Sequence, residues 1–224
     1  MIRCSSISKI MTNPRTKSDE WSETAKGAML DSAREALFGV RKSLDDVRCI
    51  QKGVMCEDEG IQLYNDVFLY DLEKVKSEDR RSNGIITGEP DLIAIGSRKG
   101  VDIKVAWSLL TFPLNAEQAG KKAYEWQARG YMCLFDVPEW EIAYCAIDTP
   151  DDLIKPWDNP SEHYIDPSIP IHHRITVARF CRDMKLEEAM LERCEKANQW
   201  TELAIKQFSS DHDEYIDASE EQAA

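Results

Sequence analysis

The sequence predicts an α/β fold with the element order αβββαβ and a helical extension at each end. Apolar and charged residues alternate from Val101 to Val105, as they do along a strand that buries one face. Apolar residues recur at Tyr124, Ala128 and Tyr131, which is the spacing of one helix face. With 224 residues and 42% hydrophobic content, the chain can bury one good-sized core. We therefore expect a single domain over residues 1–208.

The predicted elements follow one another along the whole chain. A helical region covers residues 5 to about 39, and Ser5 or Ser6 is its candidate N-cap. In the next helix, apolar residues near helical spacing place Glu57 and Tyr64 on one face. Then come a strand at about 67–75, a turn at Asn83-Gly84, two strands around Asp91 and Asp102, a helix with Gln127, a strand at 141–147, a loop at 150–170 rich in Pro, Asp and Asn, and a helical region at about 175–208.

Two of the predicted strands carry acidic residues that fall close together. Asp102 and Lys104 share one face of their strand because side chains at i and i+2 point the same way. A two-residue turn at Gly96-Ser97 would place Asp91 directly opposite Asp102, whereas a longer loop would change the pairing. Paired carboxylates repel each other unless a cation lies between them, and hard oxygen ligands suit Mg²⁺ or Mn²⁺. The alternative is a solvated strand edge with an ordinary ion pair.

Two helices supply further candidate residues. Glu57 could reach a metal at the strand pair from the helix before it. Gln127 lies on the apolar stripe between Tyr124 and Tyr131, and a glutamine is unusual on a stripe that only packs in a core. The pattern Gln127-x-x-x-Tyr131 therefore indicates a functional helix.

With these elements the chain resembles the PD-(D/E)XK nuclease superfamily. Within it, the chain resembles the phage exonuclease branch of lambda-exonuclease and YqaJ-type recombinases, and the Gln-x-x-x-Tyr element is shared with RecB-like nucleases. The resemblance covers roughly residues 3–150. It implies a restriction-endonuclease-like fold, in which helices flank a central mixed sheet. The catalytic residues that it implies are Glu57, Asp91, Asp102, Lys104, Gln127 and Tyr131, with Glu59 as the alternative to Glu57, and the implied metal ligands are Asp91, Asp102, the Ile103 carbonyl and Glu57.

The resemblance also implies an activity and partners. The expected protein is a Mg²⁺- or Mn²⁺-dependent deoxyribonuclease that degrades linear double-stranded DNA from 5′ to 3′ and leaves 3′ overhangs for phage-type recombination. A restriction-like or structure-specific endonuclease, or a non-catalytic DNA-binding module, would be alternatives on the same fold. Expected partners are double-stranded DNA ends, a single-strand annealing protein, and further copies of the chain, most simply in a trimeric ring.

The net charge of −13 is unfavourable for DNA binding, because Lys and Arg side chains supply most of the attraction to phosphate. Much of the excess is local, because residues 211–221 carry six acids and no Lys or Arg. We expect residues 209–224 to be a disordered acidic tail. The pair Arg80-Arg81 is one possible basic contact, unless such pairs are merely solubilising. The remaining candidate DNA contacts are Arg3 and Ser6, which resemble a phosphate-gripping element, and Arg98, Lys99, Lys121, Lys122 and Arg129.

Several classes of protein are disfavoured. No apolar run approaches the length that spans a bilayer and no signal-peptide pattern is present, so we expect no membrane partner and a cytoplasmic location, in the host if the chain is phage-encoded. The seven cysteines lack any Cys-x-x-Cys pair, which argues against a disulfide framework or a zinc site. The four histidines fall outside the motifs, which disfavours a histidine-based nuclease.

Overall fold

The computed structural model describes residues 1–41, 46–94 and 98–223, with side chains up to residue 212. The strands are β1 (Ile2–Arg3), β2 (Arg81–Ser82), β3 (Ile86–Gly88), β4 (Leu92–Ala94), β5 (Lys99–Val105), β6 (Glu139–Cys145) and β7 (Ile175–Cys181). The α-helices are α1 (Ile7–Ile10), α2 (Glu23–Phe38), α3 (Arg48–Met55), α4 (Glu57–Phe68), α5 (Ala116–Ala119), α6 (Lys122–Phe135) and α7 (Met184–Ala223).

A mixed sheet forms the centre of the fold, which confirms the predicted α/β class. Its strand order is β4-β5-β6-β7, with β5 parallel to β6 and the other neighbours antiparallel. A smaller sheet of order β1-β3-β2 lies beside it. From α4 to β6 the observed order is α4, β2, β3, β4, β5, α5, α6 and β6, which includes the predicted Glu57 helix, the two strands around Asp91 and Asp102, the Gln127 helix and the strand after it.

The two faces of the central sheet pack against different helices. Ile103 and Val101 join the cluster that includes Ile61 and Tyr64 of α4, whereas Trp140 and Ile142 join the cluster of α6. Strand alternation explains this division, because neighbouring residues of β5 and β6 face opposite sides. The acidic residue between Val101 and Ile103 therefore faces the α6 side.

The predicted strand at 67–75 is wrong. Helix α4 continues to Phe68, and Leu69 ends it in the left-handed conformation with φ 56°. The Phe68 ring lies 4.9 Å from the Tyr64 ring, one helical turn earlier, so the apolar residues complete a helix face. In the described part of this segment, strand pairing is limited to a bridge between Lys74 and Leu92.

The predicted helical region at 175–208 is wrong in its first part. Residues 175–181 form β7, which pairs with β6 along its whole length. The β-branched residues Ile175, Thr176 and Val177 favour this strand. Helix α7 begins only after Asp183, whose carboxylate accepts hydrogen bonds from the backbone N–H groups of Lys185 and Leu186.

The acidic end also differs from the sequence prediction. Residues 209–223 belong to α7 and are helical, where a disordered tail was expected. The stretch 184–223 contains neither Gly nor Pro, and Gln207 donates a hydrogen bond to Asp211 one turn later, so local helix propensity prevails over the excess of charge. The domain boundary at residue 208 stays a prediction.

At the N-terminal end, a 3₁₀ turn, α1 and α2 replace the continuous helical region predicted for residues 5–39. Ser6 occupies the N-cap position of α1, and its side chain makes no capping hydrogen bond with any described residue. Gly39 ends α2 with φ 66°. Across the described residues, helices that combine the length and apolarity needed to cross a bilayer are absent.

Candidate active site

Asp91 and Lys104 line one cleft, and the buried Asp102 contacts Lys104 there. Strands β4 and β5 pair Leu92 with Val101, which places the adjoining Asp91 and Asp102 opposite each other. This is the register that a Gly96-Ser97 turn would give, although residues 95–97 lie outside the described part of the chain. The ammonium of Lys104 forms an ion pair with Asp102 Oδ2. Asp91 Oδ2 accepts a hydrogen bond of 2.7 Å from the backbone N–H of Ile103.

The two carboxylates are strongly coupled. Asp102 is 1% exposed, and its Oδ2 is paired with the Lys104 ammonium. Burial and the neighbouring Asp102 charge raise the pKa of Asp91 well above its ordinary value. Burial opposes the charge on Lys104, but Asp102 and Asp91 outweigh it and raise the lysine pKa. The buried Asp102 and the partly buried Asp91 have one lysine ammonium between them, which leaves negative charge that a further cation could neutralise.

Glu57 approaches the same cleft from the first turn of α4. It lines the cleft with Asp91, Ile103 and Lys104, and its carboxylate binds Lys74 at 2.8 Å. Glu59, the alternative, is exposed to solvent. Gly60 allows α4 to pack this close, because a Cβ there would lie 2.7 Å from Ile103 Cγ2. The structure therefore brings Glu57, and not Glu59, to the cleft.

The donor set fits a divalent cation that keeps part of its hydration. The described residues contain no group of three or more His, Cys, Asp and Glu side chains that could hold an ion by themselves. However, Mg²⁺ is usually held by one or two carboxylates, with water and substrate phosphates completing its shell. Asp91 and Asp102 supply that pair, and the ion would share Asp102 with the Lys104 ammonium.

Gln127 and Tyr131 support the site from behind. Among the described residues that line the cleft, α6 contributes Tyr124, but not Gln127 or Tyr131. Tyr131 donates a hydrogen bond of 2.9 Å to the Glu89 carbonyl, and Gln127 Nε2 donates to the Tyr131 hydroxyl at 3.4 Å. The pair thus holds the backbone just ahead of Pro90 and Asp91.

Two of the predicted DNA contacts are buried and paired with carboxylates. Lys99 is 7% exposed, and its ammonium binds Glu141 at 3.0 Å beside the Tyr64 and Tyr70 rings. Arg129 is also buried, and both its Nε and its Nη2 bind the Glu125 carboxylate. Both cations thus take part in internal ion pairs.

The other predicted contacts lie in three places. Lys121 is exposed and lines the cleft, and Arg98 is exposed at φ 52° in the turn before β5. Lys122 lines a separate groove beside Trp126. Arg3 and Ser6 line a third cavity together with Arg80, and the Arg3 guanidinium there is paired with Glu35.

Sequence reasoning missed several residues of the cleft. Tyr124 and Tyr144 join their hydroxyls at 3.0 Å, and the Lys104 ammonium lies 5.5 Å from the Tyr124 ring centroid. Trp107 forms part of the cleft wall. It follows Lys104 by only three positions, and this short distance along the sequence could have identified it as a residue of the cleft. Lys52 is buried behind that wall, and nothing in its local sequence distinguishes it from a surface lysine.

The structure is similar to the crystal structure of a phage-related exonuclease from Haemophilus somnus 129PT, with a TM-score of 0.83 and 30% identity over 92% of this chain and 96% of that chain. It also shares its fold with the alkaline exonuclease LHK-Exo from Laribacter hongkongensis, at a TM-score of 0.70 and 12% identity over 96% of this chain and 94% of that one. The LHK-Exo complex with dAMP gives a TM-score of 0.69 and 14% identity over the same shares. No family model and no curated protein matches the sequence. The chain belongs to the family of phage-related exonucleases.

Proposed function

We propose that the protein is a metal-dependent DNA exonuclease that acts on the ends of linear double-stranded DNA. The observation that carries this proposal is the clustering of Asp91, Asp102 and Lys104 where β4 pairs with β5, in a chain of the phage-related exonuclease family. The reaction is phosphodiester hydrolysis, and the proposed cofactor is Mg²⁺ or Mn²⁺.

Each residue of the cleft has a distinct task. Asp91 and Asp102 would hold the ion, with the Ile103 carbonyl and Glu57 as further ligands, and the Ile103 N–H orients Asp91. When bound, the ion would polarise the phosphate and lower the pKa of the attacking water. Lys104 lies against Asp102, where its ammonium can orient water or neutralise charge that develops on the phosphate.

The helix behind the cleft has a positioning task. Gln127 and Tyr131 fix the Glu89 carbonyl and hence the start of the segment that carries Asp91. We propose that they act through this backbone contact, which keeps the first acid in register with Asp102.

The proposed polarity is 5′ to 3′, with a 3′ overhang as product. The observation in its favour is the family membership, and a single-strand annealing protein would be the partner that uses the overhang. We further propose a homo-oligomer, most simply a trimeric ring. At a net charge of −13, enclosure of the duplex would retain DNA where attraction to phosphate is weak.

The test uses linear duplex with separate labels on the 5′ and 3′ ends, and a closed circular duplex as the control. We expect Mg²⁺-dependent loss of the 5′ label first, no cutting of the circle, and full inhibition by excess chelator. Cutting of the circle would identify an endonuclease, and activity in excess chelator would contradict the metal mechanism. Light scattering on the same preparation tests the oligomer, which a strict monomer would contradict.

A further inference from the structure

The wall of the cleft contains a tryptophan that the proposed reaction does not use. Trp107 follows the end of β5 by two residues and lines the cleft together with Lys104, Tyr124 and Tyr144. Trp107 is partly exposed, whereas Trp140 of the same sheet region is fully buried in the core. The position of Trp107 is therefore not that of a core residue.

The backbone of Trp107 is held by a buried ammonium group. Its carbonyl accepts hydrogen bonds from Lys52 Nζ at 3.1 Å and from the Thr149 hydroxyl at 3.2 Å. Lys52 is 1% exposed, and its Nζ also donates to the Ile147 carbonyl at 2.8 Å. Burial of an ammonium is costly unless its protons are hydrogen-bonded, so these bonds fix the wall firmly to the end of β6.

The ring of Trp107 is also restrained, by contacts with Arg48 and His163. The Arg48 guanidinium lies 4.9 Å from the ring centroid, and it is itself anchored by Asp158 and by the Leu153 carbonyl. The His163 ring contacts Trp107 edge-on, with centroids 5.0 Å apart. Cation–π and edge contacts of this kind orient an aromatic ring.

Thr149 connects His163, which contacts the Trp107 ring, with the Trp107 carbonyl. Thr149 has a single hydroxyl proton, which it donates to the Trp107 carbonyl. His163 Nδ1 lies within hydrogen-bond distance of the same hydroxyl oxygen, at 3.0 Å. The tryptophan is thus prearranged in the cleft by groups from three separate segments.

We propose that Trp107 binds a nucleobase of the strand that is being cut, by stacking within the first three nucleotides from the scissile phosphate. This inference rests on the proposed nuclease function. An aromatic face stacks on any base, so it suits an enzyme that must degrade every sequence. A held ring has little conformational entropy to lose when the base arrives.

The test is a double-perturbation cycle on linear duplex with Mg²⁺. Wild type and Trp107→Leu are each assayed on normal ends and on ends that carry an abasic residue at the first, second or third position. At one position, the abasic substrate should lower the wild-type kcat/KM by about 5- to 150-fold, the range for one base-aromatic stack. Trp107→Leu should lose a similar factor on the normal end and little more on the abasic one. Independent, multiplicative losses at all three positions would overturn the proposal.

Two variants keep the result interpretable. Trp157→Leu makes the same change at a tryptophan that is 78% exposed and outside the cleft, and it should retain the full abasic penalty. If Trp107→Leu does not fold, Trp107→Phe replaces it, and its smaller ring should show a reduced abasic penalty; an unchanged penalty would contradict stacking. Failure of wild type to cut the normal duplex would instead contradict the proposed function itself.

Discussion

Two lysines carry ammonium groups that the fold buries, and neither could be identified from its local sequence. Lys99 stands next to Arg98 in a basic turn, which indicated a DNA contact, but its partner Glu141 lies 42 residues away. Lys52 binds carbonyls that are 55 and 95 residues distant. Burial of a charged residue depends on partners that tertiary structure supplies, so residue type alone could not predict it.

Lys52 leads to a prediction about stability and pH. Burial lowers its pKa from 10.5 to about 8, so the unfolded chain holds this proton over a range in which the folded protein has lost it. Stability from this group is therefore gained as pH rises from about 8 toward 10.5, by at most about 1.4 kcal/mol per pH unit. The free energy of unfolding of wild type, minus that of Lys52→Met, should increase over this window. Denaturant unfolding at several pH values measures it, and a constant difference would contradict the buried ammonium.

Glu57 and Glu59 provide a matched pair on one helix. Glu57→Gln should lower activity by about 10- to 100-fold and raise the Mg²⁺ concentration that gives half-maximal activity, because a charge that faces the cleft is lost. Glu59→Gln makes the same change at an exposed position and should have near-normal kinetics. Mg²⁺ titration of both variants checks this, and the reverse ranking would assign the first acid to Glu59.

At the scale of elements, the sequence predicted best where one pattern dominates locally. The alternation in β5 and the stripe of α6 both predicted real elements, and the register of β4 with β5 is the one expected for a Gly96-Ser97 turn. Strand β7 was missed because its pairing with β6 depends on residues far away in the chain. The predicted strand at 67–75 failed because its first residues complete α4.

The contact between α6 and the segment around Pro90 can be tested by removing one hydroxyl group. Tyr131→Phe removes the hydroxyl that donates a hydrogen bond to the Glu89 carbonyl. Loss of this bond should destabilise the fold by about 1 kcal/mol. If this contact keeps Asp91 in place, kcat should fall by up to about 100-fold with a smaller change in KM. Tyr164→Phe removes an exposed hydroxyl bonded to Asp151 and is the control. Unaltered kcat in Tyr131→Phe would show that the positioning role is wrong.

At the scale of the whole molecule, the positively charged side chains divide into those in internal ion pairs and those exposed to solvent. Several cations are consumed by internal pairs, while Lys121 and Arg98 remain exposed near the cleft or its strands. The acidic excess continues into α7, whose end is helical. The central sheet carries the reactive groups on its α6 side, and α4 closes the cleft with Glu57. The proposed activity therefore depends on the pair of carboxylates where β4 meets β5.

The most direct test of that dependence is the single-turnover rate of Asp102→Asn on end-labelled linear duplex with saturating Mg²⁺. The variant keeps the shape of the side chain and removes one of two buried carboxylates, so we expect an unchanged or raised melting temperature. Its cleavage rate should fall by about three orders of magnitude or more, because the charge that holds the ion is lost. A folded Asp102→Asn variant that cuts at a rate near that of wild type would contradict the assignment of this cleft as the active site.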